Sequence, residues 1–341
     1  MKQTKRYLGL LLSLSLVFAS CSSSDDSGGN NGGNNGGNNG GNNGGNNGGN
    51  NIVPPTEQAF KNMKTAALEE FTYSTSVQVA PSDALLNLSL SNDINMSVIR
   101  TCVIHNGDIL TNGDIDVKFI NLSDKASLLT TGVATMGKNS EGETELVKTK
   151  NMFSVNMSID GQPLELICGY TINIPVTGEI DNDISLWYGS SDENENVIWQ
   201  DTGQGSLNFP PDENGSYTAG QVMPFGWVSF GKIYAENSPK TTFKANVPTG
   251  YNAGNSAVYL SFEGNNSTLA RLDSFENGAF TQGGIPIGEN CQAIFVSEFE
   301  GKWVYAIKSV TIQNNGEVTF NKNDLKTATQ AELVAKINEL P

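Results

Sequence analysis

Histidine is almost missing from the 341-residue chain. His105 is the only one, and it sits just before the turn dipeptide Asn106-Gly107. A Ser-His-Asp or Cys-His pair would have to be built on this residue, and no Gly-x-Ser-x-Gly nucleophile turn accompanies it. We read His105 as a solvent-exposed turn residue. With one histidine and no Cys-x-x-Cys spacing, zinc has no ligand set, and no metal or cofactor is expected. Basic residues are scarce too, 20 against 36 acidic ones, for a net charge of −16. That balance argues against nucleic-acid binding and against attachment to anionic lipid by charge. Beyond the first 21 residues no apolar run approaches the ~20 residues that a membrane-spanning helix needs. Cysteine is limited to Cys21, Cys102, Cys168 and Cys291.

What is present begins with a leader. Lys2, Lys5 and Arg6 precede the apolar run Leu8 to Phe18, which is too short to span a bilayer, and Ala19-Ser20-Cys21 follows. The small residues before a cysteine resemble the lipobox of bacterial lipoproteins, with Phe18 where that family has an aliphatic side chain. The resemblance implies cleavage before Cys21 and a diacylglycerol on its sulfur. Two other readings are a secretory signal cut near Ala19, which leaves a free thiol, and an uncleaved anchor. The lipidated form is favoured because an exposed thiol is reactive in an oxidising compartment. Two or three acyl chains on Cys21 would hold the chain to a membrane, where one alone binds marginally. Loss of the leader's three basic residues leaves 17 against 36, a net charge of −19.

Ser22-Ser23-Ser24-Asp25-Asp26 resembles the surface-export signal of Bacteroidota lipoproteins, which implies an outer-membrane protein facing the cell exterior; a periplasm-facing orientation is the alternative. Gly28 to Asn51 is Gly-Gly-Asn-Asn repeated six times, without one apolar side chain. Glycine loses the most entropy on ordering and nothing in the repeat offsets that loss by burial, so the segment is expected to be a disordered tether. A coil of this length has a typical end-to-end distance of about 27 Å and a limit of about 80 Å.

The body reads as mainly β. Short runs rich in Val, Ile, Thr and Tyr are bounded by Asn106-Gly107, Asn112-Gly113, Asp160-Gly161 and Asn315-Gly316, dipeptides that favour tight hairpins. Two helices are expected. One lies within Thr56 to Phe71, with Phe60, Met63, Ala67 and Phe71 at helical spacing. The other is opened by the capping box Thr329-x-x-Glu332 and carries Leu333, Val334, Ile337 and Leu340 on one stripe. The expected organisation is a signal peptide at 1–20, a lipidated tether at 21–55, a first antiparallel β-sandwich at 56–200, a linker at 201–223, and a second antiparallel β-sandwich with the C-terminal helix at 224–341.

The run Asn112 to Ile120, with Thr135-Met136-Gly137, Met152-Phe153, Tyr170 to Val176 and Leu186-Trp187-Tyr188-Gly189, resembles ZU5-like β-sandwiches of bacterial surface proteins. Asn246-Val247-Pro248 and Ile285-Pro286-Ile287-Gly288 are similar to carboxypeptidase-regulatory-like sandwiches. Together they resemble two-domain, surface-exposed lipoproteins of Bacteroidota, a likeness that carries over no catalytic residue.

Alternation along 164–172 places Cys168 on the face of Leu164, Leu166, Tyr170 and Ile172. It is read either as an unpaired core thiol or as the partner of Cys102 in a disulfide. Asp181-Asn182-Asp183 and Asp192-Glu193-Asn194-Glu195 offer calcium-type oxygen ligands but fit no EF-hand loop, and solvated loops are the default. No pair of acids stands out as the facing carboxylates of a glycosidase. Flat aromatic rings stack on sugars, so Trp187, Tyr188, Trp303 and Tyr305, with Trp199 and Trp227, are the ligand-binding candidates, although core or inter-domain packing is the favoured role for each. The expected function is a non-catalytic, membrane-anchored binding or scaffold module. A polysaccharide-binding accessory of a glycan-uptake system is the second choice and a glycoside hydrolase the third. The expected partners are a membrane, through the lipid, and a glycan or surface protein.

Overall fold

In a computed structural model of the chain, residues 52–175, 184–192, 196–202 and 216–341 are described. The leader, Cys21, the Gly/Asn repeat, Asp181 to Asp183 and Glu193 to Glu195 lie outside the described residues. Gly49–Pro341 forms one compact unit. The body is mainly β, as expected, and its layers follow from which faces of the sheets are apolar.

The first sandwich pairs a large sheet with a four-stranded one. Along the large sheet lie Thr72–Val79, Gly113–Leu122, Thr144–Ile159, Gly226–Ile233, Ser185–Ser191, Val197–Asp201 and Met136–Lys138, with Gln162–Pro163 added to the long central strand. The four-stranded sheet runs Ser216–Val222, Tyr170–Pro175, Asn95–Ile99, Leu85–Ser89. Between them Leu86, Leu88, Met96, Val98, Ile172 and Ile174 meet Val117, Phe119, Phe153 and Val155 in a dry core. Period-two alternation is plain on the edge strand Leu85–Ser89, where Leu86 and Leu88 are buried while Leu85, Asn87 and Ser89 are exposed.

The second sandwich pairs Ser274–Glu276, Ala279–Pro286, Lys240–Asn246 and Glu317–Thr319 with a five-stranded sheet ordered Leu269–Arg271, Ser256–Phe262, Asn290–Phe299, Lys302–Thr311, Lys326–Ala328. Its core holds Phe243, Leu260, Phe262, Phe280, Phe295 and Phe320. A third apolar layer lies on the far face of the five-stranded sheet. Here three helices, α1 (Glu57–Glu70), α2 (Lys125–Thr131) and α3 (Gln330–Asn338), pack with Trp187, Trp199, Tyr259, Ile294 and Trp303.

The two expected helices are present. Thr56 caps α1 by accepting from Ala59 N–H at 3.2 Å, and Phe60 and Ala67 are its buried residues. The capping box Thr329/Glu332 opens α3, which buries Leu333 and Ile337. Helix α2 was not anticipated. Asp124 accepts from the N–H groups of Ala126 and Ser127, Gly132 closes the helix at φ 77°, and all seven of its residues are buried. Burial all round erases the amphipathic period by which a surface helix is recognised.

Pairing moves the expected boundaries. Gly226–Ile233, assigned to the second sandwich, runs between Thr144–Ile159 and Ser185–Ser191 in the first. Ser216–Val222, assigned to the linker, pairs with Tyr170–Pro175. The seam therefore falls after Ile233. Among the described residues antiparallel pairing has two exceptions, Val197–Asp201 with Met136–Lys138 and Lys240–Asn246 with Glu317–Thr319, both parallel. Of the four turn dipeptides, Asn106-Gly107 and Asp160-Gly161 take positive φ at both residues and close hairpins, and Asn315 is positive alone. Asn112-Gly113 instead leads into the strand Gly113–Leu122.

Candidate functional site

Three of the tryptophans are structural. Trp187, Trp199 and Trp303 are each 1% exposed. Each indole N–H is bonded indoors: Trp187 to Gly231 O at 3.2 Å, Trp199 to Ala134 O at 2.7 Å, Trp303 to Gln330 Oε1 at 3.3 Å. Trp227 meets Trp199 edge to face with centroids 6.4 Å apart, and Tyr305 is half-buried against the helical layer. Trp187 and Trp303, offered as ligand-binding candidates, take the core-packing role instead, and Tyr305, beside Trp303 on Lys302–Thr311, is only partly exposed. Of the clefts that these rings border, Tyr188 lines the largest, while Trp187, Trp303 and Trp227 border smaller ones. The Tyr188 hydroxyl accepts from Met223 N–H at 3.1 Å.

That cleft lies on the outer side of the four-stranded sheet, at the end marked by the Cys102–Cys168 disulfide. The two sulfurs join residues whose Cα atoms are 5.3 Å apart, which settles the question left open by sequence. Alternation had put Cys168 on the inner face with Tyr170. The strand instead begins only at Tyr170, and residues 167–169 turn outward to reach Cys102. Gly169 is required here, because a Cβ would stand 2.3 Å from Gln221 Cα. The only other cysteine among the described residues, Cys291, is buried in the second core, and burial pushes its thiol up to about 12.

The cleft has a volume of about 860 Å³. Its apolar part is made by Leu85, Ile99, Ile167 and Met223, exposed by 46, 49, 62 and 37% respectively. Leu85 and Ile99 face each other across paired strands. Ser97, Thr171, Gln221 and Tyr188 supply its polar atoms, and no charged side chain lines it. By contrast, the cleft between α1 and Val197 carries Lys61 and Lys64. Farther along the same face Ser97 Oγ donates to Asn87 Oδ1 at 2.7 Å and Asn173 Nδ2 to Thr218 Oγ1 at 3.0 Å. The surface is neutral and partly greasy, the character of a recognition surface.

Other expected sites resolve differently. His105 is half-buried, with Nε2 3.2 Å from Asn106 Nδ2, at its hairpin turn. Asp192 spends its carboxylate on Asn196, whose backbone N–H lies at 2.8 Å and side-chain amide at 3.1 Å. Among the described residues no group of three metal-ligating side chains converges, and no helix is long and apolar enough to cross a membrane.

No family model matches the chain, and no curated protein matches it. Among solved structures, a bacterial adhesin from Mobiluncus mulieris containing intramolecular disulfide, isopeptide and ester bond cross-links aligns over 73% of this chain and 98% of its own, at 10% identity and a TM-score of 0.14. A second crystal form of that adhesin aligns over the same shares, also with a TM-score of 0.14. A score so low carries no argument about this chain.

Proposed function

We propose that this protein is a lipid-anchored, outer-membrane protein of the bacterial cell surface that binds or scaffolds and catalyses no reaction. The leader and the cysteine at position 21 support the anchor, and the serine and aspartate run supports the outward orientation. The cleft beside Cys102–Cys168 supports the binding role. Solvent-exposed aliphatic side chains gathered on a disulfide-stapled sheet cost solubility, and their gathering fits a surface kept for a partner. Mass spectrometry of the mature N-terminal peptide tests the anchor; an unmodified thiol, or cleavage at another bond, defeats it. Protease added to intact cells tests the orientation, since a protected body would place it inside.

The polysaccharide-binding reading comes second, and the observation that favours it has changed. It rests on Tyr188 and the neutral Asn, Ser and Thr side chains around the cleft. Retention on insoluble polysaccharides that is lost in Tyr188→Ala, with the same melting temperature, selects it. No retention on any glycan removes it.

A further inference from the structure

The four-stranded sheet ends on Leu85–Ser89, which pairs with Asn95–Ile99 on one side and with no described strand on the other. Leu90 N–H donates to Ile94 O and Arg100 N–H to Ala84 O. Even-numbered positions therefore bond inward, and the N–H and C=O groups of Leu85, Asn87 and Ser89 point out along the free edge. Natural sheets guard such an edge with lysine, proline or a bulge. This one has no such guard, since no side chain from Ala84 to Ser91 or from Ile94 to Ile99 is charged. Two charges bracket the hairpin. Asp93 is exposed at its tip. At its base Arg100 donates to the backbone carbonyls of Asp83, Leu110 and Pro81 at 2.6, 2.5 and 3.3 Å. Neither has an oppositely charged side chain as partner among the described residues.

We propose that this edge pairs with the same edge of a second copy of the chain, antiparallel about Asn87, so that two four-stranded sheets become one continuous sheet. In that register Asn87 faces Asn87 and Leu85 faces Ser89, each pair exchanging N–H···O=C bonds in both directions. The tip of each hairpin then lies beside the base of the other, which carries Asp93 toward Arg100. Two mature chains, each with 17 basic against 36 acidic residues, repel each other, and they approach at least cost where the surface is uncharged and the hairpin charges are opposed. A five-residue strand pair buries less than the ~1,600 Å² of a standard interface, so association in dilute solution is weak. Confinement of anchored chains to one membrane raises their effective concentration.

Two experiments decide it. In cells expressing the full chain, Asn87→Cys is oxidised with copper phenanthroline beside Thr171→Cys, which lies on the same sheet two strands inward. Paired edges put the Asn87 Cα atoms about 5.5 Å apart, within disulfide reach. We expect a reducible species of twice the chain's mass at least tenfold more abundant for Asn87→Cys than for Thr171→Cys. Adding Asp93→Lys should reduce it. Equal yields from the two cysteines, or a cross-link to a different protein, overturn the proposal. The second experiment is sedimentation of the purified full chain up to ~1 mM. Asn87→Pro removes the outward N–H and the side-chain bond from Ser97 Oγ, leaves the backbone pairing with Asn95–Ile99 intact, and should abolish the rise in mass with concentration seen in the parent. A parent that keeps the monomer mass throughout, with no cross-link on cells, overturns it as well.

Discussion

The five-stranded sheet of the second sandwich and the four-stranded sheet of the first meet the same problem in opposite ways. Every residue of Ser256–Phe262 is buried: Val258, Leu260 and Phe262 face the second core, while Ala257 and Tyr259 face the helical layer. Leu85–Ser89 buries only alternate residues and leaves its other face to water. A strand covered on both faces, as Ser256–Phe262 is, is committed to stability. A sheet covered on one face, stapled by Cys102–Cys168, has a surface to spare.

Breaking the covered sheet should cost most. Phe295 is fully buried, with Tyr251 edge to face at 5.0 Å and Phe320 at 5.8 Å. Phe295→Ala is expected to lose about 4–5 kcal/mol by denaturant titration. A loss below ~2 kcal/mol would mean that the second core is loosely packed. Next comes the staple. Cys102→Ser with Cys168→Ser opens a loop of 66 residues, worth about 4 kcal/mol in the chain-entropy model. The same variant should leave Cys291 unreactive, because burial pushes its thiol far above the ordinary range; iodoacetamide at pH 8 should label it only in denaturant.

Thr329→Ala removes the N-cap of α3 and should cost about 1 kcal/mol. Smaller still is the pair Lys308–Asp324 at 2.8 Å. The hydrogen bond from Lys308 holds the Asp324 carboxyl below its ordinary value of 3.8. A depressed carboxylate contributes stability above its unfolded value that is lost as pH falls through the folded one. The difference between Lys308→Met and the parent, at most about 1 kcal/mol, should be present at pH 6 and vanish in strong acid below pH 3.8. On the open sheet, Ile99→Lys should change stability by less than ~0.5 kcal/mol while weakening whatever docks in the cleft. A large stability loss there would show that the open face is structural after all, and the contrast between the sheets would fall.

Much of the fold was legible in local pattern. The Asn106-Gly107 and Asp160-Gly161 turns and the Thr329-x-x-Glu332 box read true because turn conformation and capping act over a few residues. Helix α2 was missed, although Asp124-x-x-Ser127 and Gly132 mark its ends. The candidate site was legible only at Tyr188. Its other members, Leu85, Ile99, Ile167 and Met223, look like core residues to any pattern rule, since an aliphatic side chain in a strand is read as inward-facing. The tryptophans, for which core packing was the favoured role, show the complementary ambiguity: a ring able to stack on a sugar is as able to fill a core, and the choice depends on what lies opposite.

What the sequence by itself determined is whatever rests on contiguous chemistry: the acidic balance, the leader's cysteine motif, the apolar-free repeat, the alternation of the strands and the capped ends of the outer helices. Only the tertiary structure decided which strands share a sheet, that Cys102 reaches Cys168, that the tryptophans are interior, and that one sheet keeps an open face. Those outcomes depend on contacts between residues tens of positions apart in the chain. Local propensity carries no record of them, because the free energy that selects them comes from burying surfaces against one another.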